Sequence, residues 1–233
     1  MAIELRDVCF SYRSGDRTIT ALDRLSMSIG SGALVAVTGP NGSGKSSLAK
    51  VLNGLIVPQS GSVEIDGICI SQENRMEIRR RVALVFQNPD TQIVGDTVEE
   101  DIAFGPCNLG LDASEIRGRV EVCLSTLGIS NLRDRNPNML SGGQKQLVAI
   151  AGALAMMPSC IVLDEATSML DVRGRRAVMD AVNSIRSDYG VSVVMITHRP
   201  EELAACDYIY VLEKGAVRLQ GTPEELAGTE EPC

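Results

Sequence analysis

The amino-acid sequence predicts an α/β fold around a mostly parallel sheet. Its apolar runs are short, continuous and rich in β-branched residues, which is typical of strands buried on both faces. Helical patterns separate the later runs, as the crossovers between parallel strands require. The predicted strands cover residues 3–9, 19–29, 33–38, 62–65, 82–86, 160–163, 191–196 and 208–212.

Both ends of the chain predict antiparallel strands and turns. The first three strands, with Gly30 and Gly32 between the second and third, predict an antiparallel β element at the N-terminal edge. Near the C-terminus, residues 213–216 predict a hairpin turn, and Thr222 with Glu225 predicts a capping box.

The middle of the chain predicts helices. Helical patterns follow Gly44 and Ser141, and another begins after Asp112, which we expect to be its N-cap. We expect one domain over residues 1–233, with a mostly helical insert at about 97–138 and a helical subdomain that covers about 97–157.

Composition and charge exclude several classes of protein. The 233 residues, 44% of them hydrophobic, are enough for a substantial core. No apolar run reaches the roughly 20 residues of a membrane span, because Pro158 ends the longest candidate. The net charge of −8 disfavours binding to nucleic acid or anionic lipid, so any membrane contact should run through a protein partner. The N-terminus has no basic or long apolar segment, so we expect no secretory signal and a cytoplasmic protein.

Cysteine and histidine usage limits the chemistry further. The 7 cysteines are scattered without a C-x-x-C pair, and we interpret them as reduced and mostly buried. His198 is the single histidine, which excludes histidine-rich metal sites and leaves one imidazole for acid or base chemistry.

A glycine-rich turn between a predicted strand and a predicted helix indicates phosphate binding. It satisfies G-x-x-x-x-G-K-S/T, in which glycines let backbone N–H groups face phosphates and the helix N-terminus adds partial positive charge. Lys45 would reach the β and γ phosphates of ATP, and Ser46 would bind Mg²⁺. The alternative is a simple turn that closes a strand and helix. The candidate nucleotide-binding residues here are Gly39, Pro40, Asn41, Gly42, Ser43, Gly44, Lys45, Ser46 and Ser47.

Two carboxylates follow the predicted strand at residues 160–163. Asp164 would complete the Mg²⁺ site beside Ser46. Glu165 should point to the opposite side of the strand end and polarise the attacking water. Taken alone, Asp164 could instead cap a following turn, but the glycine-rich turn at residues 39–46 (the P-loop) makes the metal role the better interpretation.

A second helix start with glycines follows Leu140. Ser141 and Gln144 form S-x-x-Q, the pattern of a capping box. Such a helix start, with Gly142 and Gly143, also offers N–H groups and a hydroxyl to a phosphate. The capping box and the phosphate site would use the same helix start.

Taken in order, these motifs resemble those of the nucleotide-binding subunit of ATP-binding cassette (ABC) transporters, over essentially the whole chain. The resemblance implies a P-loop NTPase core that binds and hydrolyses ATP with Mg²⁺. It also implies that Ser141 and Gly143 contact the γ phosphate bound to the P-loop of a second subunit. Two nucleotides would then be sandwiched in a head-to-tail dimer.

The same resemblance implies roles for four further residues. Tyr12 would stack on adenine, although an edge-strand tyrosine also fills cores. Gln87 would touch Mg²⁺ and the catalytic water and sense a transmembrane partner. Asp171 would communicate between the two sites. His198 would contact the γ phosphate as a catalytic residue, although a lone histidine after a strand is commonly structural.

Residues 85–92 and 97–105 resemble one branch of this family, the ATPases of energy-coupling factor transporters, which import vitamins or cobalt and nickel ions. The expected partners are a second ABC ATPase subunit, an integral membrane coupling subunit and a substrate-binding membrane subunit, at the cytoplasmic face of the membrane. We hypothesise that Glu99, Glu100 or Asp101 accepts an arginine of the coupling subunit. The alternative is a solvated acidic first turn of a helix.

The sequence departs from the family pattern in places. Leu147 replaces a usual arginine, Val172 a usual proline, and Arg199 follows His198 where an acidic residue is more common. None of these changes removes a phosphate or metal contact. Many relatives carry a further C-terminal helical segment that holds two ATPases together, so dimerisation without ATP is not implied here.

Other functions stay open at this point. An amino-acid or lipid ABC system would carry the same motifs. A non-transport ABC ATPase that clamps DNA would need long coiled coils between Lys45 and Ser141, and the acidic charge disfavours it. A P-loop kinase of small metabolites would not explain the segment at residues 140–144.

Overall fold

Two sheets organise the residues that the computed structural model describes, 3–15 and 17–228. The strands are β1 (Ile3–Ser14), β2 (Arg17–Ile29), β3 (Leu34–Thr38), β4 (Ser60–Ile65), β5 (Ile68–Cys69), β6 (Val82–Val85), β7 (Cys160–Asp164), β8 (Ser192–Ile196), β9 (Tyr208–Glu213) and β10 (Ala216–Gly221). A four-stranded antiparallel sheet has the order β2-β1-β4-β5, and a six-stranded sheet has the order β10-β9-β3-β8-β7-β6. The predicted α/β class is confirmed.

Helices connect the strands of the larger sheet. They are α1 (Lys45–Leu52), α2 (Arg75–Arg81), α3 (Val98–Asn108), α4 (Ala113–Thr126), α5 (Gly142–Ala155), α6 (Val172–Tyr189), α7 (Pro200–Ala204) and α8 (Pro223–Ala227). Asp112 caps α4 as predicted, through hydrogen bonds from two backbone N–H groups. Among the described residues, no helix combines the length and the apolar character that crossing a membrane requires.

The third strand corrects one prediction. β3 does not join the N-terminal antiparallel sheet, because it pairs in parallel with β8 on one side and β9 on the other. The turn in which the N–H of Ala33 donates to the carbonyl of Gly30 (3.3 Å) leads the chain into the second sheet instead of closing a hairpin. All five residues of β3 are buried, as the centre of a covered parallel sheet requires.

Two apolar clusters lie on the two faces of the six-stranded sheet. Leu34 and Ala36 belong to the cluster that includes residues of α3, α4, α5 and α6. Val35 and Val37 belong to the other cluster, with residues of β1, β2 and α1. Side chains of a strand alternate between faces, so β3 is fixed from both sides.

Parallel pairing places four connecting loops at one edge of the sheet. β3 pairs with β8, β8 with β7, and β7 with β6, all in parallel. The loops after these strands therefore open at the same carboxyl edge, which is where open α/β sheets bind ligands.

The short predictions near the C-terminus are confirmed. Glu213 pairs with Ala216 across an antiparallel hairpin, although the sequence did not predict β10 itself. Thr222 and Glu225 form the capping box of α8, with Pro223 in its first turn.

The cysteines are less buried than predicted. Only half of the six described cysteines are buried, and burial raises the pKa of each of these three thiols to about 12. All six are free, as expected. The buried ones are Cys123, Cys160 and Cys206, Cys9 is half-buried, Cys69 and Cys107 are exposed, and Cys233 lies outside the described residues.

Asp101, one of the three acids at the start of α3, is not available to a partner. It is buried, and its Oδ1 accepts hydrogen bonds from the N–H groups of Val94 (2.7 Å) and Gly95 (3.0 Å). These bonds fix the segment before α3 against the helix. The hypothesis that Asp101 accepts a partner's arginine is therefore wrong.

The other two acids have lesser roles within the chain. Glu100 closes a capping box with Thr97 at the start of α3. A carboxylate oxygen of Glu99 lies 3.9 Å from Arg133, and more than a third of the Glu99 side chain is exposed. For Glu99 and Glu100 the docking hypothesis stays a prediction.

The buried position of Asp101 predicts a large effect on stability. Asp101→Ala should lower the free energy of unfolding by about 2 to 4 kcal/mol, because two backbone N–H groups lose a charged acceptor. Glu99→Ala, the control, should change it by less than about 0.5 kcal/mol, since its ion pair is long and partly exposed. Chemical denaturation measures both values. Equal effects of the two substitutions would contradict the structural role of Asp101.

Candidate functional site

The loop after β3 ends in a helix start that has no side-chain cap. Gly44 occupies the N-cap of α1, and the first turn carries neither a capping side chain nor an acidic residue. Side-chain oxygens do cap α3, α4, α5, α6 and α8. The first N–H groups of α1 are therefore free for an anion, which the helix dipole also favours.

Two glycines of this loop lie where no other residue fits. A Cβ atom on Gly39, whose φ is 132°, would lie 2.1 Å from the carbonyl oxygen of Leu212. A Cβ atom on Gly44, whose φ is 106°, would lie 2.4 Å from the carbonyl oxygen of Ala21. The path of the loop against both sheets therefore depends on glycine.

Lys45 is buried at the base of the loop. Its Nζ donates hydrogen bonds to the carbonyls of Gly39 (2.7 Å) and Pro40 (3.0 Å). Burial lowers the pKa of Lys45, and the carboxylates of Glu165 and Asp164 act against that shift. The ammonium group is thus held inside the loop and is poorly compensated there.

Ser43 provides a test of whether this loop fits a phosphate. Its hydroxyl is buried and makes no hydrogen bond within the described part of the chain. A buried hydroxyl of this kind calls for a partner, and a phosphate oxygen would be one. Together with the uncapped helix start and Lys45, it makes the loop fit for a phosphate group.

Asp164 and Ser46 meet beside the loop. The hydroxyl of Ser46 lies 3.4 Å from Oδ1 of Asp164. Burial raises the pKa of Asp164, the hydrogen bond from Ser46 lowers it, and the neighbouring Glu165 raises it. One carboxylate and one hydroxyl fit Mg²⁺, which takes its remaining ligands from phosphates and water.

Glu165 has different partners from its neighbour. Its Oε2 accepts a hydrogen bond from Nε2 of Gln87 (3.2 Å), and its Oε1 lies 3.5 Å from Nε2 of His198. Its backbone has a φ of 51° and donates to the carbonyl of Ile196 (3.1 Å). A positive φ is uncommon for glutamate, and it accompanies the different directions of the Asp164 and Glu165 side chains. Gln87, Glu165 and His198 are thus brought together at the carboxyl edge.

Ser168 joins this cluster, although the sequence did not single it out. Its hydroxyl accepts a hydrogen bond from Nε2 of Gln87 (2.9 Å), and its carbonyl accepts one from Nη2 of Arg199 (3.2 Å). The sequence signal that could have indicated Ser168 is its position three residues after Glu165. A cavity of about 180 Å³ is lined by Glu165, Thr167, Ser168, Thr197, His198 and Arg199.

Tyr12 lies beside the start of α1. Its hydroxyl is 3.4 Å from Oγ of Ser47, and its ring makes an edge contact with Phe10 at a centroid distance of 4.9 Å. The side chain is 37% exposed, so Tyr12 is not core filler. An exposed ring next to the phosphate loop suits a nucleotide base.

Ser141 caps α5 through the predicted capping box, which is confirmed. Its hydroxyl accepts from the N–H of Gln144 (3.3 Å), and Oε1 of Gln144 accepts from the N–H of Ser141 (3.0 Å). A Cβ atom on Gly143 would lie 3.0 Å from Cα of Gly174, so α5 and α6 approach each other through glycines. Within the described residues, no hydrogen bond joins this segment to Lys45 or its loop.

Two further contacts link α5 to the loop that carries Gln87. Nζ of Lys145 lies 2.6 Å from Oδ1 of Asp90, and the amide of Gln146 donates to the carbonyl of Phe86 (3.3 Å). Sequence reasoning missed both, because the partners are more than fifty positions apart. The start of α5 and the Gln87 loop are therefore connected.

Asp171 has a local role in the chain. Its Oδ1 accepts a hydrogen bond from the N–H of Gly174 (2.7 Å) and caps α6. Val172, at the first position of α6, is 72% exposed. Leu147, in contrast, is buried in α5.

Comparison with known proteins identifies the family. The model of the family described as ABC transporter matches residues 22–168, from β2 through the loop that carries Glu165. The chain belongs to the ABC transporter family. It is an ATP-binding and ATP-hydrolysing subunit of that family, and the phosphate loop and the carboxylates at the sheet edge fit this activity.

Relatives of this ABC ATPase match nearly its whole length. It is 46% identical over 225 residues to the energy-coupling factor transporter ATP-binding protein EcfA1 of Clostridioides difficile, covering 96% of this chain and 81% of that protein. The structure of cbiO1 from Clostridium perfringens, part of the ABC transporter complex cbiONQ, superposes with a TM-score of 0.88 at 35% identity, covering 98% of this chain and 91% of the other. A dimeric ATP-binding cassette in a post-hydrolysis state with ADP and Pi has a TM-score of 0.84 at 30% identity, covering 95% and 98%.

The raised pKa of Asp164 predicts opposite effects on stability and activity. A carboxyl whose pKa is raised in the folded state favours folding only while it is protonated, so its ionised form opposes folding at neutral pH. Asp164→Asn should therefore keep or raise the melting temperature at pH 7 without nucleotide, and the gain should shrink as the pH is lowered. Mg²⁺-dependent hydrolysis of ATP should be lost.

Thermal unfolding across pH and a phosphate-release assay measure these two effects. Asp180→Asn, at an exposed position of α6, is the matched control. An Asp164→Asn chain that melts lower and still hydrolyses ATP would contradict the assignment.

Proposed function

We propose that this ABC ATPase powers an energy-coupling factor importer of vitamins or transition-metal ions, at the cytoplasmic face of the membrane. The observation that carries the proposal is the 46% identity to an energy-coupling factor ATP-binding protein over 96% of the chain. The likeness to cbiO1, part of a transporter complex, supports it. We take residues 1–233 as one ABC ATPase domain, with a helical subdomain at about 97–157 that contains α3, α4 and α5.

The chain's own residues would bind the nucleotide as follows. Tyr12 stacks on the adenine, and the N–H groups of residues 39–47, the Ser43 hydroxyl and Lys45 hold the phosphates. Ser46 and Asp164, with Gln87, would hold Mg²⁺, which would supply positive charge beside the phosphates.

Glu165 would act on the attacking water. Its carboxylate accepts a proton or polarises the water, and the contacts from Gln87 and His198 hold that carboxylate in place. His198 then contacts the γ phosphate. Contacts that fix the direction of the carboxylate favour catalysis, because the group then needs little reorganisation during the reaction.

A second ABC ATPase subunit would complete the site. The start of α5, where Ser141 and Gly142 are exposed and Gly143 and Gln144 half-buried, would serve the nucleotide on the partner's P-loop. Asp171 would lie at the connection between the two sites. The N–H groups and hydroxyl at this helix start are suited to a γ phosphate. Hydrolysis in this proposal depends on dimerisation.

The membrane coupling subunit would dock beside the Gln87 loop. Phe86, Val94 and Phe104 are 36%, 63% and 54% exposed, and apolar side chains in such a group mark an interaction surface. Glu99 adds a partly exposed acid. The Lys145–Asp90 pair would pass a movement of this loop to the start of α5.

Glu165→Gln tests the catalytic role. The variant should bind ATP normally, hydrolyse it at least about a hundredfold more slowly, and accumulate as a dimer with ATP, because the water is no longer polarised. Single-turnover kinetics and size-exclusion chromatography with light scattering measure this. Glu224→Gln, at an exposed position of α8, is the control. Parental turnover by Glu165→Gln would remove Glu165 from the catalytic role.

Co-purification tests the transporter assignment. The tagged chain, extracted from native membranes in mild detergent, should bring down a coupling subunit, a substrate-binding membrane subunit and an ABC ATPase. Recovery of another class of ABC importer or exporter, or binding to DNA, would contradict the energy-coupling factor assignment.

A further inference from the structure

A closed chain of contacts surrounds the Glu165 carboxylate. The amide of Gln87 donates to one carboxylate oxygen (3.2 Å) and to the hydroxyl of Ser168 (2.9 Å). The carbonyl of Ser168 accepts a hydrogen bond from Nη2 of Arg199 (3.2 Å). Arg199 directly follows His198, whose Nε2 lies 3.5 Å from the other Glu165 oxygen. Arg199 therefore joins the two loops that flank the carboxylate.

Arg199 is itself fixed on its other side. Pro200 opens α7 and restricts Arg199 to the extended conformation it has, with φ −89° and ψ 122°. The N–H of Arg199 donates to the hydroxyl of Thr197 (3.1 Å), and that hydroxyl donates to Glu202. Glu202 is only 4% exposed, and its second oxygen lies 4.0 Å from Nε of Arg199.

The guanidinium thus bridges a buried carboxylate and the Ser168 carbonyl. The Oε1 atom of Glu202 has no hydrogen bond within the described chain, so the nearby charge of Arg199 is its compensation. A planar guanidinium can serve two acceptors at once in a fixed direction. This bridge connects the Ser168 loop to the segment that carries His198.

We propose that Arg199 is a positioning residue for ATP hydrolysis, which holds Ser168 and His198 at the spacing that keeps Gln87 and His198 on the Glu165 carboxylate. The proposal rests on the proposed role of Glu165. Arg199 acts through the Ser168 carbonyl and the backbone to His198. Within the described residues it makes no hydrogen bond or ion pair with Lys45 or its loop.

The position of Arg199 predicts that its removal lowers kcat and leaves KM nearly unchanged. Arg199, Ser168 and His198 line a cavity of about 180 Å³ next to Glu165. Without the guanidinium, the two loops can shift into this space. A small shift of a catalytic group lowers kcat strongly, whereas ATP binding at Lys45 is untouched.

Arg199→Met removes the donors and keeps most of the chain length. We expect kcat for ATP to fall about tenfold or more, since the carboxylate is no longer held in place. We expect KM for ATP to stay within about twofold, because Lys45 and its loop, which would hold the phosphates, are fixed by bonds that do not involve Arg199. Arg199→Lys, which retains a charged donor, should recover part of the lost kcat. Arg117→Met, at an exposed position of α4, is the matched control and should hydrolyse ATP like the parent.

A loss of structure gives a different result. If Arg199→Met lowers kcat only in parallel with the melting temperature and with ATP binding, and Arg199→Lys recovers nothing, the positioning role is overturned. Parental kcat in Arg199→Met overturns it as well.

The combination with Glu165→Gln separates this inference from the proposed function. If Arg199 acts through Glu165, Arg199→Met should cause no further loss in the Glu165→Gln chain. A full additional loss there overturns the inference. If Glu165→Gln slows hydrolysis and Arg199→Met does not, only the inference fails. If Glu165→Gln leaves hydrolysis unchanged, the proposed catalytic role of Glu165 fails, and the inference fails with it.

Discussion

Parallel pairing of four strands is the constraint on which the candidate site depends. β6, β7, β8 and β3 lie side by side in the same direction, so the loops after them meet at one edge. Asp164 at the end of β7 pairs with Ile196 at the end of β8. This register fixes the positions at which the loops after β7 and β8 begin. A slip of one residue would turn Asp164 to the other face of the sheet and separate it from Ser46.

Charge is crowded at this edge and is incompletely compensated. Burial raises the pKa of Asp164 and lowers the pKa of Lys45, so the charged form of each side chain is less stable in the folded chain than in water. A phosphate and a divalent cation together bring the missing opposite charges. The ionised forms of Asp164 and Lys45 therefore oppose folding, and a cost in stability of this kind is common at functional sites. Glu165 differs, because Gln87 and His198 already surround it.

Local features of the sequence predicted more than distant ones did. The phosphate loop was predictable because glycine, lysine and serine at this spacing after a strand are typical of phosphate binding. The capping box at Ser141 was predictable because it too depends on residues a few positions apart. The placement of β3 was not, since a buried run reads alike in either sheet. The docking hypothesis for Asp101 was wrong because the two N–H groups that donate to its carboxylate lie on the loop before α3, whose path the sequence does not predict. The contact of Arg199 with Ser168 spans two loops, and only the folded sheet brings them together.

In the proposed function, one chain carries only part of a hydrolytic site. The most direct test is the ATP turnover of the purified 233-residue chain across a dilution series, with the oligomeric state of each sample measured by analytical ultracentrifugation under the same conditions. Turnover per chain should fall toward zero as the dimer dissociates, because the phosphate loop then lacks the helix start of a partner. Undiminished turnover by the monomer would contradict the account.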